Sequence, residues 1–207
     1  MSRLIFFIAE GETEAEFVDK VLSEYLIKYD ICVDYMTLGG NISFDRLKED
    51  ATKILKNRKD CWKITTMIDL YGLKNIKKFP GYDEKLKDYK LVEKLESELK
   101  KFFNDNRFIP YFSLHEFEAL LFSNVNAFKD KIPSVKDDDI SKLSNKLKEY
   151  KSNPELINQN KGPSKHIEEI IIGYNKVVHG KELCKKIGID TIKKHCKHFN
   201  DWIEKLI

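Results

Sequence analysis

The sequence predicts an α/β fold: a mainly parallel four-stranded sheet flanked by helices, followed by a helical C-terminal portion. Two observations predict it. Residues 4–9, 31–38, 62–68 and 108–114 are short apolar runs, each separated from the next by a segment of helical period. Strands that alternate with helices in this way pair in parallel through right-handed crossovers. Beyond Phe122 no such run recurs, and the remaining periodic segments read as helices. The division implied is an α/β domain over residues 1–122 and a helical subdomain over residues 123–207 packed on it.

Each element has its own warrant. Residues 4–9 (LIFFIA) are continuously apolar, as in a strand covered on both faces. Gly11 permits a sharp turn, and Thr13 with Glu16 forms a T-x-x-E capping box that opens a helix carrying Phe17, Val18, Val21, Leu22, Tyr25, Leu26 and Tyr29 at helical spacing. The second strand ends at Gly39-Gly40. A helix near residues 44–56 then buries Phe44, Leu47, Ala51, Ile54 and Leu55. The third strand delivers Asp69, and residues 71–84 form a loop containing Gly and Pro. A longer helix carries Val92, Leu95, Leu99, Phe102 and Phe103, and the fourth strand runs into a helix at His115. Later helices are expected near residues 137–150, 164–177, 181–187 and 200–207.

Composition bounds the function classes. A chain of 207 residues buries an ordinary core without a disulfide or metal staple. Lys+Arg 37 against Asp+Glu 34 leaves only +3, which does not by itself announce nucleic-acid binding. Between Lys161 and Lys197, however, nine lysines face four acids. That stretch reads either as a basic face for a polyanion or as a solvated lysine-rich surface. Cys32, Cys61, Cys184 and Cys196 form no C-x-x-C pair and read as reduced, mostly buried thiols of a cytoplasmic protein. His195-Cys196-Lys197-His198 lacks the second cysteine pair that a structural zinc site uses. Residues 4–9 are too short for a signal-peptide core, and no apolar stretch approaches the ~20 residues that cross a bilayer, so no membrane association is expected.

The chemistry gathers at strand ends. Glu10 and Asp69 each close an apolar strand as a lone carboxylate at a turn. In an open parallel sheet, ligands collect outside the carboxyl ends of the strands, and a divalent cation readily holds two carboxylates there. The competing role is a helix cap or dipole partner. That role accounts for Glu12 and Glu14 in the first turn, and less well for Glu10, because Thr13 already takes the capping position. In His115-Glu116-Phe117-Glu118, Glu116 completes an S-x-x-E box with Ser113. Glu118 shares a helical face with His115 and is the better third ligand, while His115 either supports that ligand or caps the helix. Three acids suit Mg²⁺ or Mn²⁺, and such a site hydrolyses phosphodiesters by activating water and stabilising charge on the phosphate. Lys165, in Pro163-Ser164-Lys165, supplies a cation beside the free N–H groups of a helix start, or else is an exposed surface lysine.

The strings AEGETE, MIDLYGL, FPGY, FIPYFSLHEFEALLFS, PELIN, GPSK and IGI…HCKHFNDWI, in order over nearly the whole chain, resemble the family called domain of unknown function 4276. That family is similar to the Toprim fold of topoisomerases, primases and OLD-type (overcoming lysogenization defect) nucleases. The resemblance implies a Toprim-like fold in which Glu10 is the strand-one acid and Asp69 the first acid of a D-x-D motif. It further implies an Mg²⁺- or Mn²⁺-dependent nuclease acting on DNA or RNA, as effector of a bacterial antiviral system beside an ABC- or AAA-type ATPase. A homo-oligomer stays an open arrangement. The second D-x-D position here is Tyr71, so one ligand is missing or comes from Glu116 or Glu118, and Lys165 matches the late lysine of OLD-type nucleases by position. Gly11, Tyr71 and His115 stand as supporting or substrate-binding residues. The changed motif leaves three alternatives: an active nuclease, a very selective one, or an inactive Toprim-like module that binds nucleic acid or the ATPase.

Overall fold

The computed structural model describes residues 2–157 and 161–207. The chain divides into two compact units, Met1–Leu114 with Glu204–Ile207, and His115–Ile203. The first unit contains β1 (Arg3–Ala9), α1 (Glu12–Phe17), α2 (Ser23–Leu26), β2 (Ile31–Thr37), β3 (Ile42–Ser43), α3 (Phe44–Asn57), β4 (Lys63–Asp69), β5 (Leu73–Lys74), α4 (Asp88–Phe103), β6 (Phe108–Ile109) and β7 (Phe112–Ser113). The main sheet runs β2-β1-β4-β6, with β7 also on β4, and every pairing is parallel. The mainly parallel α/β sheet that the strand–helix alternation predicts is therefore present.

Burial follows position in the sheet. β1 lies between β2 and β4, and its residues Ile5, Phe6, Phe7, Ile8 and Ala9 are all buried. Each large apolar side chain buried in this way contributes roughly 1.5–3 kcal/mol. β2 lies at the sheet edge and exposes Cys32, Asp34 and Tyr35. α3 is capped by Ser43, whose hydroxyl accepts the Arg46 N–H at 3.3 Å, and buries Leu47, Ala51 and Leu55. α4 buries Leu91, Val92, Leu95 and Leu99, while Phe102 is exposed and meets Phe44 edge-on.

Several expectations are corrected. The strand expected over residues 108–114 is broken into β6 and β7, because Pro110 has no N–H to give a ladder. Threonine hydroxyls of β4 replace the missing backbone bonds. Thr65 Oγ1 donates to Ile109 O at 2.6 Å, while Thr66 Oγ1 donates to Tyr111 O at 2.8 Å and accepts from Tyr111 N at 2.7 Å. The Thr13–Glu16 box is displaced: the helix is capped at Gly11, whose N–H donates to Glu14 Oε2 at 3.0 Å. Gly11 is extended there (φ −149°), so it supplies a donor and not a left-handed turn. The loop over residues 71–84 holds β5, which pairs with β3. Gly81 in that loop does need to be glycine, with φ +87° and Lys94 O within 2.7 Å of any added Cβ.

The second unit begins with a 3-10 segment, Phe117–Asn124, in place of the helix expected at His115, and Ser113 stays in β7 with no capping role for that segment. The boundary expected after Phe122 falls inside this 3-10 segment. It continues through α5 (Ala127–Lys131), α6 (Asp137–Glu149), α7 (Pro163–Ile170), α8 (Lys176–Ile187), α9 (Ile189–His195) and α10 (Lys197–Leu206), the last of which runs across the boundary at Ile203. The helix expected over residues 164–177 stops at Ile170, and Gly173, at φ +85°, separates it from α8. Among the described residues this unit holds no strand. Asn158, the last residue of the PELIN string, lies outside the described residues.

Candidate acidic site

Parallel pairing brings the ends of β1 and β4 side by side, with Ala9 opposite Met67. The backbone of Glu10 is held on both sides: its N–H donates to Met67 O at 2.9 Å, and its carbonyl accepts the Gly40 N–H at 2.9 Å. Its side chain then reaches the β4 end, where Glu10 Oε2 accepts the Asp69 N–H at 2.8 Å. Glu10 and Asp69 are both half-buried, so the Glu10 carboxylate is anchored without being sealed from solvent. The following 3-10 turn, Leu70–Gly72, wraps this carboxylate closely. A Cβ added at Gly72 would lie 2.1 Å from Glu10 Oε1 and 2.2 Å from Oε2. Tyr71, in the same turn, is 56% exposed. The Gly11 N–H, already committed to Glu14, is not the one that holds Glu10.

The remaining expected residues belong to the second unit. Glu116 caps a helix distant in sequence: its Oε2 accepts the Ser164 N–H at 2.9 Å, and its carboxylate lies within 2.5–2.6 Å of any Cβ added at Gly162. The N–H at the start of α7 that the sequence offers to a phosphate is thus taken by a carboxylate. Lys165 is exposed and pairs with Glu168 at 2.7 Å, which raises its pKa. His115 and Glu118 are both buried. The Glu118 charge adds to the effect of burial in pushing the Tyr174 hydroxyl and the Cys184 thiol above their usual pKa values. Cys184 is therefore a buried, inert thiol.

Glu10 and Asp69 supply hard oxygen donors, and the side-chain-free turn at Gly72 leaves the Glu10 carboxylate its place. This set fits a cation that binds through one or two carboxylates plus waters, as Mg²⁺ does. Among the described residues no group of three or more His, Cys, Asp or Glu is gathered for a metal ion. Cys196 of the HCKH string is buried beside Ser123 Oγ at 3.3 Å, and burial pushes its thiol pKa up.

The basic tail is partly neutralised. Lys161, Lys165, Lys186 and Lys197 pair with Glu169, Glu168, Asp130 and Asp201. An open cleft of about 520 Å³ lies against α6 and α7, with Lys142, Lys146, Lys161, Tyr150 and His166 in its lining. Its three lysines also face acids: Asp138, Glu149 and Glu169. The His166 pKa is lowered, first by burial and then by the charge of Lys146.

Sequence reasoning selects neither Gly72 nor the buried glutamates that hold distant backbone. Glu96 accepts the Phe112 N–H at 2.9 Å, and Glu155 accepts those of His198 and Phe199. The sole trace of Gly72 is a glycine three residues after a strand-end acid.

The family model described as "Domain of unknown function (DUF4276)" matches residues 9–207. No curated protein matches the chain. Among solved structures, the chain is similar to the C-terminal region of the Burkholderia pseudomallei OLD protein, at 16% identity and a TM-score of 0.48, over 100% of this chain and 98% of that one. It is also similar to the C-terminal region of the Xanthomonas campestris pv. campestris OLD protein, at 14% identity and a TM-score of 0.44, over 98% of this chain and 96% of that one. Among the described residues no helix is long and apolar enough to cross a membrane.

Proposed function

The chain belongs to the DUF4276 family, and we propose that it is a Toprim-like nuclease that hydrolyses phosphodiesters of DNA or RNA with Mg²⁺ or Mn²⁺. In this reading it is the effector of a bacterial antiviral system and works with an ABC- or AAA-type ATPase. One observation carries the proposal: the Glu10 carboxylate is anchored at the backbone of Asp69, at the carboxyl ends of two adjacent parallel strands. That is where open α/β sheets place ligands.

The chain's own residues have distinct parts in this reading. Glu10 accepts the Asp69 N–H at Oε2, which fixes at the strand end a carboxylate of the hard-oxygen kind that Mg²⁺ and Mn²⁺ take. Asp69 adds a second negative charge at the same strand end. Glu10 and Asp69 would hold a divalent ion there, and the ion would supply charge stabilisation at the phosphate and help to activate water. Tyr71 replaces the second acid of a D-x-D motif and, being exposed, acts on substrate by hydrogen bonding or stacking. Glu116, Glu118, His115 and Lys165 belong to the second unit, and substitution of each tests whether it contributes to activity.

A second reading has its own support. The Glu10–Asp69 bond is itself structural, which favours a non-catalytic module that binds nucleic acid or the ATPase. The two are separated by incubating the protein with labelled DNA, messenger RNA and transfer RNA, with and without Mn²⁺ and the ATPase. Metal-dependent cleavage of one substrate, abolished by chelation, supports the nuclease. Retained binding without cleavage in every combination supports the module.

A further inference from the structure

We propose that Gly72 positions Glu10: the space left by its missing side chain is where the strand-end carboxylate sits, and the turn fixes the acid by leaving that space open. This deepens the reading of Glu10 as a metal-binding acid and rests on it for its functional meaning.

The geometry is specific. An added Cβ would lie 2.1, 2.2 and 2.4 Å from Oε1, Oε2 and Cδ of Glu10. Carbon atoms do not approach so closely, so one group must move. Gly72 is not among the glycines with a left-handed backbone, so an alanine there meets no conformational penalty of that kind. The opposing atoms are the far end of a flexible side chain. The fold therefore survives the substitution, and the carboxylate is what gives way. Displacing it breaks the 2.8 Å bond from the Asp69 N–H, which ties the two strand-end acids together. Glycine at 72 is thus required by the carboxylate, and the carboxylate by the site.

Two readouts test this in the full chain: amide hydrogen exchange at Asp69 in the absence of metal, and Mn²⁺ binding by calorimetry. Gly72→Ala is expected to keep the wild-type circular dichroism spectrum, to speed Asp69 exchange about tenfold or more, and to weaken Mn²⁺ binding by a similar factor. Glu10→Asp retracts the acid by one methylene and makes room for the new methyl group. The double variant Glu10→Asp/Gly72→Ala is therefore expected to lose less than the product of the two single losses. If Gly72→Ala unfolds, the comparison of Glu10→Asp with the double variant decides alone, since a clash relieved by the shorter acid restores folding. Unchanged Asp69 exchange in Gly72→Ala, or losses that simply multiply, overturns the proposal. Faster exchange in a protein whose wild type binds no Mn²⁺ upholds the positioning role and sinks the metal reading instead.

Discussion

The Glu155 carboxylate accepts the backbone N–H of Phe199, 44 residues further along the chain, at 2.9 Å, and that of His198 at 3.0 Å. Both donors belong to the first turn of α10, and that turn contains no acidic residue. Glu155 is buried, and this pairing is how its charge is accommodated. Glu155→Ala removes both acceptors and is expected to cost about 2–3 kcal/mol, read as a lower urea midpoint at unchanged slope. Glu155→Gln keeps one carbonyl oxygen and should fall between the two. A loss under about 0.5 kcal/mol for the alanine variant would mean that water replaces the carboxylate without penalty.

Activity turns on the strand-end acids. Glu10→Gln and Asp69→Asn each remove one negative charge at nearly constant volume and are expected to abolish cleavage, or toxicity in cells, with the thermal midpoint little changed. Lys165→Ala, as the candidate phosphate-contacting cation, is expected to slow cleavage while leaving Mn²⁺ affinity intact. Glu12→Gln is the control, an exposed first-turn acid whose loss costs only ~0.3–1 kcal/mol of helix stability. Full biological effect in both Glu10→Gln and Asp69→Asn would make the binding module the better description.

What the sequence reveals of this molecule depends on the range of each interaction. β1 is legible because Leu4 to Ala9 are apolar without interruption, and α3 and α4 because their apolar positions repeat at helical spacing. Glu10 and Asp69 are legible as acids that end such runs. The capping boxes mislead, because local spacing offers Thr13 and Ser113 while the fold uses Glu14 for the nearby helix. Glu116 shows the same limit on a longer scale, since its acceptor role toward Ser164 spans 48 residues and no local pattern encodes it. Thr65 and Thr66 read as ordinary strand residues, and only the break at Pro110 shows why hydroxyls are needed there. Gly72 is visible only once the Glu10 carboxylate is seen against it.

His166 makes stability depend on pH. Burial is the main cause that lowers its pKa in the folded chain, followed by the charge of Lys146, with Lys161 adding to it and Glu169 and Glu149 opposing. The unfolded value is near 6.5. As pH falls through that value, the unfolded chain takes up a proton that the folded chain still refuses, so unfolding is favoured and stability drops. Above about pH 7.5 both states are neutral at this residue and it contributes no slope. Thermal midpoints measured between pH 5 and 8 are expected to fall on the acid side for the wild type, and less steeply for His166→Gln. Parallel profiles for the two proteins would assign the slope to other groups.

Thr66 offers the sharpest test of how the sheet tolerates Pro110. Its hydroxyl donates to Tyr111 O and accepts from Tyr111 N, so one side-chain oxygen of β4 stands in for two ladder bonds to the segment that links β6 to β7. Thr66 is fully buried, and water cannot take over either bond without opening the sheet. Thr66→Val keeps the shape, removes the hydroxyl and takes from both Tyr111 groups the partner shown. The expected loss is about 2 kcal/mol or more, since a buried polar group deprived of its partner costs ~1–3 kcal/mol. Thr66→Ser keeps the hydroxyl and deletes one methyl group, so its cost is limited to about 0.5–1.5 kcal/mol, comparable to other single-methyl deletions in cores. Chemical denaturation of the three proteins decides the matter. If valine is tolerated as well as serine, the β6–β7 break is held by packing and not by the threonine bridge.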